Sequence, residues 1–416
     1  MSIRVCTVVF NRYPRDVRVR REAEAMVEAG MLVDVVCLRG AGEAHRETVR
    51  GVEVFRLPQR KKRRGKFQYL WDYGLFLWLA FVQVSFLRLK NRYQLVHVHN
   101  MPDILVLAAI LPRLLGAKII LDLHDPMPEM YRTKFRVRSD HRVIRLLTHL
   151  EKWSIRFAHL VLTPNTAFRK RFISRGCPEA KIKVIMNSPQ EEVFCPRHRE
   201  AREAADARSE FVLMFHGLIT ERHGLDTALE AVASLRDAIP RIRFHIYGTG
   251  DGFLQQCRSL TEQLELTDVV RFHGFISIEE IAAAIRRVDL GIIPNKRTVF
   301  TEINLPTRIL EYLCLGRPVV APRTEGITDY FDDNALFFFE PGNAESLART
   351  ILRVKRDRGL REAVIERGGR IHRQHRWESQ KRDLVRHSLR LLKMERTSTF
   401  VPAEQAKRPP FLILKS

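Results

Sequence analysis

The chain has 416 residues, 45% of them hydrophobic and 29% charged, which is enough for two ordinary domains and too apolar for a disordered chain. Lysine and arginine number 71 against 48 acidic residues, and a formal charge of +23 implies an anionic partner: phosphate ligands, anionic lipid or nucleic acid. Six cysteines without a C-x-x-C spacing argue against a disulfide scaffold and for a reducing compartment, and the opening MSIRVCTVVF reads as a strand, not as a signal peptide.

An apolar strand over 3–10 is followed by a loop over 11–15, a helix over 16–29 closed by Gly30, and a strand over 32–37. Strand, loop, helix, strand opens a doubly wound sheet, whose ligands bind at the carboxyl ends of the strands. Asp16 is placed to cap the helix, and Arg15, Arg18, Arg20 and Arg21 around its start form either a solvated basic face or a ligand-facing one. Another strand runs over 51–57.

Six of the seven residues over 60–66 are basic, and between 67 and 89 the stretch FQYLWDYGLFLWLAFVQVSFLRL carries only Asp72 and Arg88 as charges. A spanning helix needs roughly 20 apolar residues. Asp72, Gln83 and Ser85 interrupt this one, and a strand follows at once. The expected form, over 60–90, is a partly buried helix beside a polybasic anchor, with Trp71, Tyr73, Phe76 and Trp78 touching an anionic bilayer.

A strand over 94–99 puts His97 and His99 on one face; Asn100-Met101-Pro102-Asp103 turns into an apolar helix over 104–115. The next strand, 117–123, ends in His124-Asp125-Pro126-Met127-Pro128-Glu129. Two strands ending in histidine-containing loops line a crevice in such a sheet. Paired histidines suggest a metal, but no third ligand stands at a fixed spacing, so none is expected. A helix over 142–157, a strand over 160–163, a helix over 166–174 and a strand over 183–186 complete a first domain, 1–196. The charged, alanine-rich run 197–210 reads as a linker.

A second domain, 211–376, restarts the same grammar: a strand over 211–216, the loop GLITERHG over 217–224, and a helix over 225–238. The strand over 243–247 runs into Gly248-Thr249-Gly250-Asp251-Gly252, where glycines permit close approach of a ligand, and the strand over 270–273 runs into Gly274-Phe275. A long basic helix over 377–395 and a tail over 396–416 follow.

The stretch TEINLPTRILEYLCLGRPVVAP, 301–322, reads as helix, turn and buried strand. Asn304 is placed to cap the helix, Pro306 suits its first turn, and Gly316 and Pro318 end it. Its N-terminus is a ready anion site, and Glu311 lies one turn beyond Thr307 on the same face. The pattern allows either a diphosphate with a carboxylate for vicinal hydroxyls, or an ordinary amphipathic helix with a solvated Glu311.

This stretch resembles the donor-site segment of family 4 glycosyltransferases, whose GT-B fold sets two Rossmann-like α/β domains facing across a cleft. The family pattern is glutamate, seven residues, glutamate, then alanine-x-glycine-x-proline-valine. Glu311 matches the second glutamate and Leu315-Gly316-Arg317-Pro318-Val319 the tail, but Ile303 stands where the first glutamate belongs, with Glu302 one place off register. Leu305-Pro306-Thr307-Arg308 resembles a subgroup that often lacks that carboxylate. GLITERHGLD resembles the family's phosphate loop, with Leu218 in place of its arginine and His223 near its lysine, leaving Arg222 for the diphosphate. VHVHNMPDILVLAA and KIILDLHDPMPEMY resemble its acceptor-domain motifs, and His124 falls on the active-site histidine.

The resemblance implies transfer of a hexosyl group, with retention, from a nucleotide diphosphate sugar to an acceptor hydroxyl. It implies His124 and Arg222 as catalytic and Gly217, Arg222, Gly248, Gly250, Gly274, Asn304, Leu305, Pro306, Thr307 and Glu311 as donor-binding. Arg15, Arg18, His99 and Asn100 fall on the acceptor side, and the last long helix crosses back to the first domain. Neither metal nor cofactor is expected. The expected partners are a lipid-linked or saccharide acceptor and the anionic cytoplasmic face of the cell membrane. The rivals are a catalytically inactive scaffold of this fold and a basic nucleic-acid binder, the latter without a recognisable motif.

Overall fold

The computed structural model describes residues 2–59, 65–194 and 210–392. The basic run 60–64, the expected linker apart from residue 210, and the tail 396–416 lie outside the described residues.

The first domain runs β1 (Arg4–Val9), α1 (Val17–Glu28), β2 (Leu32–Leu38), β3 (Arg46–Val49), β4 (Val52–Leu57), α2 (Gly65–Asn91), β5 (Leu95–His99), a 3-10 turn (Asp103–Ala109), α3 (Ile110–Leu114), β6 (Lys118–Asp122), α4 (Met127–Phe135), α5 (Arg142–Phe157), β7 (Leu160–Thr163), α6 (Thr166–Ser174) and β8 (Ile182–Val184). Its sheet has the order β3-β4-β2-β1-β5-β6-β7-β8, parallel except where β3 meets β4. The second runs β9 (Phe211–His216), α7 (Leu225–Ala233), β10 (Ile242–Tyr247), α8 (Gly252–Gln263), β11 (Val270–Gly274), α9 (Ile278–Ile285), β12 (Leu290–Ile292), α10 (Thr307–Cys314), β13 (Val319–Pro322), α11 (Glu325–Thr328), β14 (Phe337–Phe339), α12 (Ala344–Arg356) and α13 (Arg358–Gln374). Its sheet is parallel, in the order β11-β10-β9-β12-β13-β14.

In each sheet the strand order reverses once, between β1 and β5 and between β9 and β12. Crevices open at such switch points, outside the carboxyl ends of the strands. The central strands are rich in branched apolar residues because both faces are covered. Val8, Val36, Val96 and Val98 pack under α2 with Phe76 and Leu105, while Val5, Val33, Val35 and Ile120 pack on the other face under α1 with Val19 and Met26. The last helix, α14 (Trp377–Leu391), lies on this first domain. Leu384 joins the cluster under α1, Lys381 pairs with Glu28 at 2.8 Å, and the Arg21 guanidinium sits 4.6 Å from the Trp377 ring centroid.

Three local expectations need correction. The helix over 104–115 begins as a 3-10 turn, and α3 starts only at Ile110. Pro112 has no N–H to donate, so it is accommodated in an α-helix's first turn and not in its interior. In α2, Phe76 is fully buried and Tyr73 packs on the core, so neither belongs to the outward face. That face is Trp71, Leu75, Trp78, Val82, Phe86 and Leu89. In α10, Pro306 occupies the N-cap with no side-chain hydrogen bond, so Asn304 does not cap the helix. The neighbours of Asn304, Ile303 and Leu305, are both buried in apolar clusters, and this anchoring sets the chain's entry to the helix at Thr307.

Candidate active site

On the first domain the site is built from the ends of β1, β5 and β6. Asp16 caps α1, accepting from the Arg18 backbone N–H at 3.3 Å, and pairs with the Arg18 guanidinium at 3.1 Å. Asn100 clasps the loops after β5 and β6: its Nδ2 donates to Asp103 Oδ1 at 2.8 Å and to the Asp125 carbonyl at 2.7 Å, and its Oδ1 accepts from the His124 N–H at 3.1 Å. Asn100 is therefore a buried positioning residue, not an acceptor contact. His124 has an Nδ1 without a hydrogen-bond partner, and burial followed by the charge of Arg18 holds its pKa well below the usual histidine range, so the imidazole is neutral. Burial pushes Asp125 up to about 6, against the pull of Arg18 and Arg222. Arg15 is exposed.

His99 is not at the acceptor surface. It is buried, with Nδ1 3.0 Å from Asp122 Oδ2 on β6 and its ring 4.3 Å from that of His97. The two histidines also have neighbours that their spacing in the sequence does not show. Glu22, from α1, and Asp122 join them in a buried group whose ligand atoms lie within 4.8 Å of one another. Spacing within one segment cannot reveal side chains that the fold brings in from another helix and another strand.

On the second domain, three loops interlock by backbone. Gly217 N–H donates to the Tyr247 carbonyl at 2.9 Å, Ile219 N–H to the Thr249 carbonyl at 2.8 Å, and Gly248 N–H to the Gly274 carbonyl at 2.7 Å. A Cβ on Gly248 would stand 1.8 Å from the Gly217 carbonyl oxygen, and one on Gly250 2.4 Å from that of Ile219. These glycines let neighbouring backbone approach. Gly274 takes a left-handed turn (φ +75°) in open space, followed by exposed Phe275; nearby, Tyr247 and His273 stack with centroids 4.3 Å apart.

Two arginines belong to this wall, Arg308 against the start of the Gly217 loop and Arg222 within that loop. Arg308, second residue of α10, donates to the His216 carbonyl at 2.6 Å and to Asn295 Oδ1 at 3.3 Å, while its aliphatic stem lies 3.5 Å from where a Cβ on Gly217 would be. Arg222 sits in a short 3-10 turn ending at Gly224, whose left-handed conformation (φ +64°) and contact with the Pro294 carbonyl require glycine. His223 cannot supply a third cation: burial, then Arg308 and Arg222, lower its pKa to about 2. Glu311 is neither solvated nor loose. His216 Nε2 donates to its Oε2 at 2.6 Å, and His216 Nδ1 lies 3.0 Å from the Tyr312 hydroxyl, which donates to the Met214 carbonyl at 2.9 Å. Ile303 is core, and Glu302 does not replace the missing carboxylate, since it accepts from the Glu325 N–H at 3.2 Å and pairs with Arg297. Leu305 is likewise an apolar core contact, while buried Pro306 and half-buried Thr307 form the start of α10.

The halves meet across the cleft. Arg222 Nη1 donates to Met130 Sδ of α4 at 3.5 Å, Thr133 and Thr298 hydroxyls lie 3.3 Å apart, Arg136 pairs with Glu221, and Phe300 packs into the first domain's core. Arg18, His124 and Asp125 thus stand on one wall and Arg222, Arg308 and the α10 N-terminus on the other. Sequence reading missed Asp125 and Arg308, although each directly follows a residue it had singled out.

Residues 16–188 match the family model described as "Glycosyl transferase 4-like domain", and residues 197–370 match "Glycosyl transferases group 1". The amylovoran biosynthesis glycosyltransferase AmsK of Erwinia amylovora is 26% identical over 197 residues, 47% of this chain and 47% of that protein. A putative colanic acid biosynthesis glycosyltransferase, WcaL of Escherichia coli, is 26% identical over 51% of this chain and 52% of its own length, so the chain spans about half of these curated relatives. Anabaena HepE, solved with UDP-glucose, superposes with a TM-score of 0.69 at 17% identity, covering 93% of this chain and 99% of its own. Sucrose-phosphate synthase of Thermosynechococcus elongatus superposes with a TM-score of 0.76 at 17% identity over 94% and 99%. At these identities the superpositions establish the two-domain fold.

Proposed function

Because the chain belongs to the family 4 glycosyltransferases of the GT-B fold, we propose that its cleft moves a hexosyl group from a nucleotide diphosphate sugar to an acceptor hydroxyl, with retention. The observation that carries this reading is the placement of Arg308, at the N-terminus of α10 against the start of the Gly217 loop, and of Arg222, within that loop and reaching across to Met130, opposite Arg18, His124 and Asp125. As the glycosidic bond breaks, its electron pair and a full negative charge pass to the leaving diphosphate. Fixed cations and a helix N-terminus stabilise that charge without reorganising, which is often the largest catalytic term. They also supply the positive charge a divalent ion would otherwise bring, and this supports metal-independent transfer. Neutral His124 orients the acceptor side, and Glu311, steadied by His216, takes vicinal hydroxyls of the donor. The nucleobase lies by Gly274 and Phe275.

The acceptor in this reading is a lipid-linked saccharide or glycolipid precursor of a cell-surface polysaccharide, met at the cytoplasmic face of a membrane. Support comes from α2. Its segment Trp71–Asn91 is long enough to span and holds an 18-residue window of mean hydropathy 1.3, yet only 28% of that window is buried. One face, Phe76, Ala80, Val84 and Leu87, is core, so the helix lies along a bilayer and does not cross it. The other face, from Trp71 to Leu89, continues onto Leu114 and Leu115. The relatives AmsK and WcaL are named for polysaccharide biosynthesis, which fits this assignment. A thermal-shift panel of nucleotide sugars tests it: one donor raises Tm and is turned over with a lipid-linked acceptor, whereas a folded protein that no donor stabilises refutes it.

A further inference from the structure

We propose that Glu22, His97, His99 and Asp122 form a buried divalent-metal site, of a ligand set suited to zinc, that fastens α1 to the ends of β5 and β6. This goes beyond transfer at the cleft: Asp122 ends the strand that leads into the His124 loop, and none of the four residues belongs to the donor wall. Strand register builds it. His97 and His99 are two apart on β5 and share a face, and His99 pairs directly with Asp122 across the sheet. Glu22 reaches the group from α1, which covers that face, and its Oε2 stands 3.7 Å from His97 Nε2.

Three observations point to a cation. First, the four side chains offer ligand atoms within 4.8 Å of one another, the only such group among the described residues. Second, Glu22 Oε2, His97 Nε2 and His99 Nε2 have no hydrogen-bond partner, although their residues are only 4%, 1% and 1% exposed. Buried polar atoms are almost always satisfied, so three orphans in one place call for a ligand. Third, Asp122 already holds His99 Nδ1 at 3.0 Å, the carboxylate–histidine pairing that orients a metal-bound imidazole and leaves the other nitrogen free to ligate. Glu22 brings a carboxylate to two imidazoles in one buried place, and a divalent ion would join all three. Two imidazole nitrogens and one carboxylate, with Asp122 orienting His99, fit zinc better than calcium or magnesium, which prefer oxygen alone.

Burial means that the ion enters while the chain folds. The test is metal analysis of untagged full-length protein, purified from zinc-supplemented cells and, separately, refolded with zinc or with EDTA. The expected result is about one zinc per chain, retained through gel filtration, with a higher Tm after refolding in zinc. The paired variant Glu22→Gln, His97→Gln should lose the metal. If that variant does not fold, the wild-type stoichiometry and the zinc-dependent Tm still decide. Protein holding below about a tenth of an equivalent, with the same Tm after refolding in zinc and in EDTA, would overturn the site. Nucleotide-sugar turnover is scored separately, so failure here leaves the transferase reading untouched.

Discussion

His216 Nε2 donates to Glu311 Oε2 at 2.6 Å, joining the last residue of β9 to the second turn of α10. The contact ties the loop that would hold a diphosphate to the carboxylate that would hold hydroxyls, so the two halves of a donor site move as one. Glu311→Gln is expected to weaken donor binding ten- to hundredfold, since a hydrogen bond to a charged group is worth about 1.5–3 kcal/mol. His216→Ala should weaken it too, and the double variant should lose less than the sum, because both act through one contact. Isothermal titration of the four proteins measures this; unchanged affinity in folded Glu311→Gln removes the residue from the site.

Arg308 stands against the start of the Gly217 loop and Arg222 within it, one fixed by the His216 carbonyl and Asn295, the other reaching across to Met130. Either arginine changed to alanine should lower kcat/KM by about a hundredfold, in line with the loss of one preorganised charge-stabilising donor. Arg308→Lys should recover little, because an ammonium cannot keep both contacts and still present a donor to phosphate. Steady-state kinetics with a soluble donor checks this, and near-wild-type kcat/KM in Arg308→Ala would leave it only a packing role.

His124→Ala should lower kcat and kcat/KM together, with donor affinity unchanged, because the residue belongs to the opposite wall and acts in the transition state. Its backbone N–H remains on Asn100 in the variant, so the loop keeps its shape. Turnover at the wild-type rate would assign His124 a structural part alone.

The outward stripe of α2 predicts peripheral membrane binding. Trp71→Ser with Trp78→Ser should reduce co-sedimentation with anionic vesicles while leaving Tm unchanged, because both side chains are more than 60% exposed. Changing Lys61, Lys62, Arg63 and Arg64 to serine should weaken binding by up to roughly a thousandfold at low salt, at about 1 kcal/mol per basic residue. Binding should also fall as ionic strength rises. Equal binding to neutral vesicles discards the electrostatic part.

Much of the architecture was legible because buried parallel strands are rich in branched apolar residues: runs such as Leu95–His99 and Lys118–Asp122 stand out even with their polar members, and glycines at 30, 224 and 316 punctuate the helices. His124, Arg222 and Glu311 could be singled out as candidates because each belongs to one short segment with its own chemistry. Asn304 misled, since a residue with high capping preference was outweighed by its buried neighbours Ile303 and Leu305. Asp125, Arg308 and the partnership of Glu22 with His97 were not readable, because their meaning lies in contacts between elements far apart in the chain. The outward face of α2 was half readable: an almost uniformly apolar helix does not reveal which side meets the core, and Phe76 was placed on the wrong one.

The central claim is sugar transfer driven by positive charge on the donor wall. It is tested most directly by following release of nucleoside diphosphate from a panel of nucleotide sugars, with vesicles carrying lipid-linked saccharide, in wild-type protein and in Arg222→Ala. The account predicts acceptor-dependent release from at least one donor, with a product retaining the donor's anomeric configuration and a rate about a hundredfold lower in the variant. Folded wild-type protein that releases no nucleoside diphosphate from any donor, or releases it equally fast with Arg222→Ala, would contradict it.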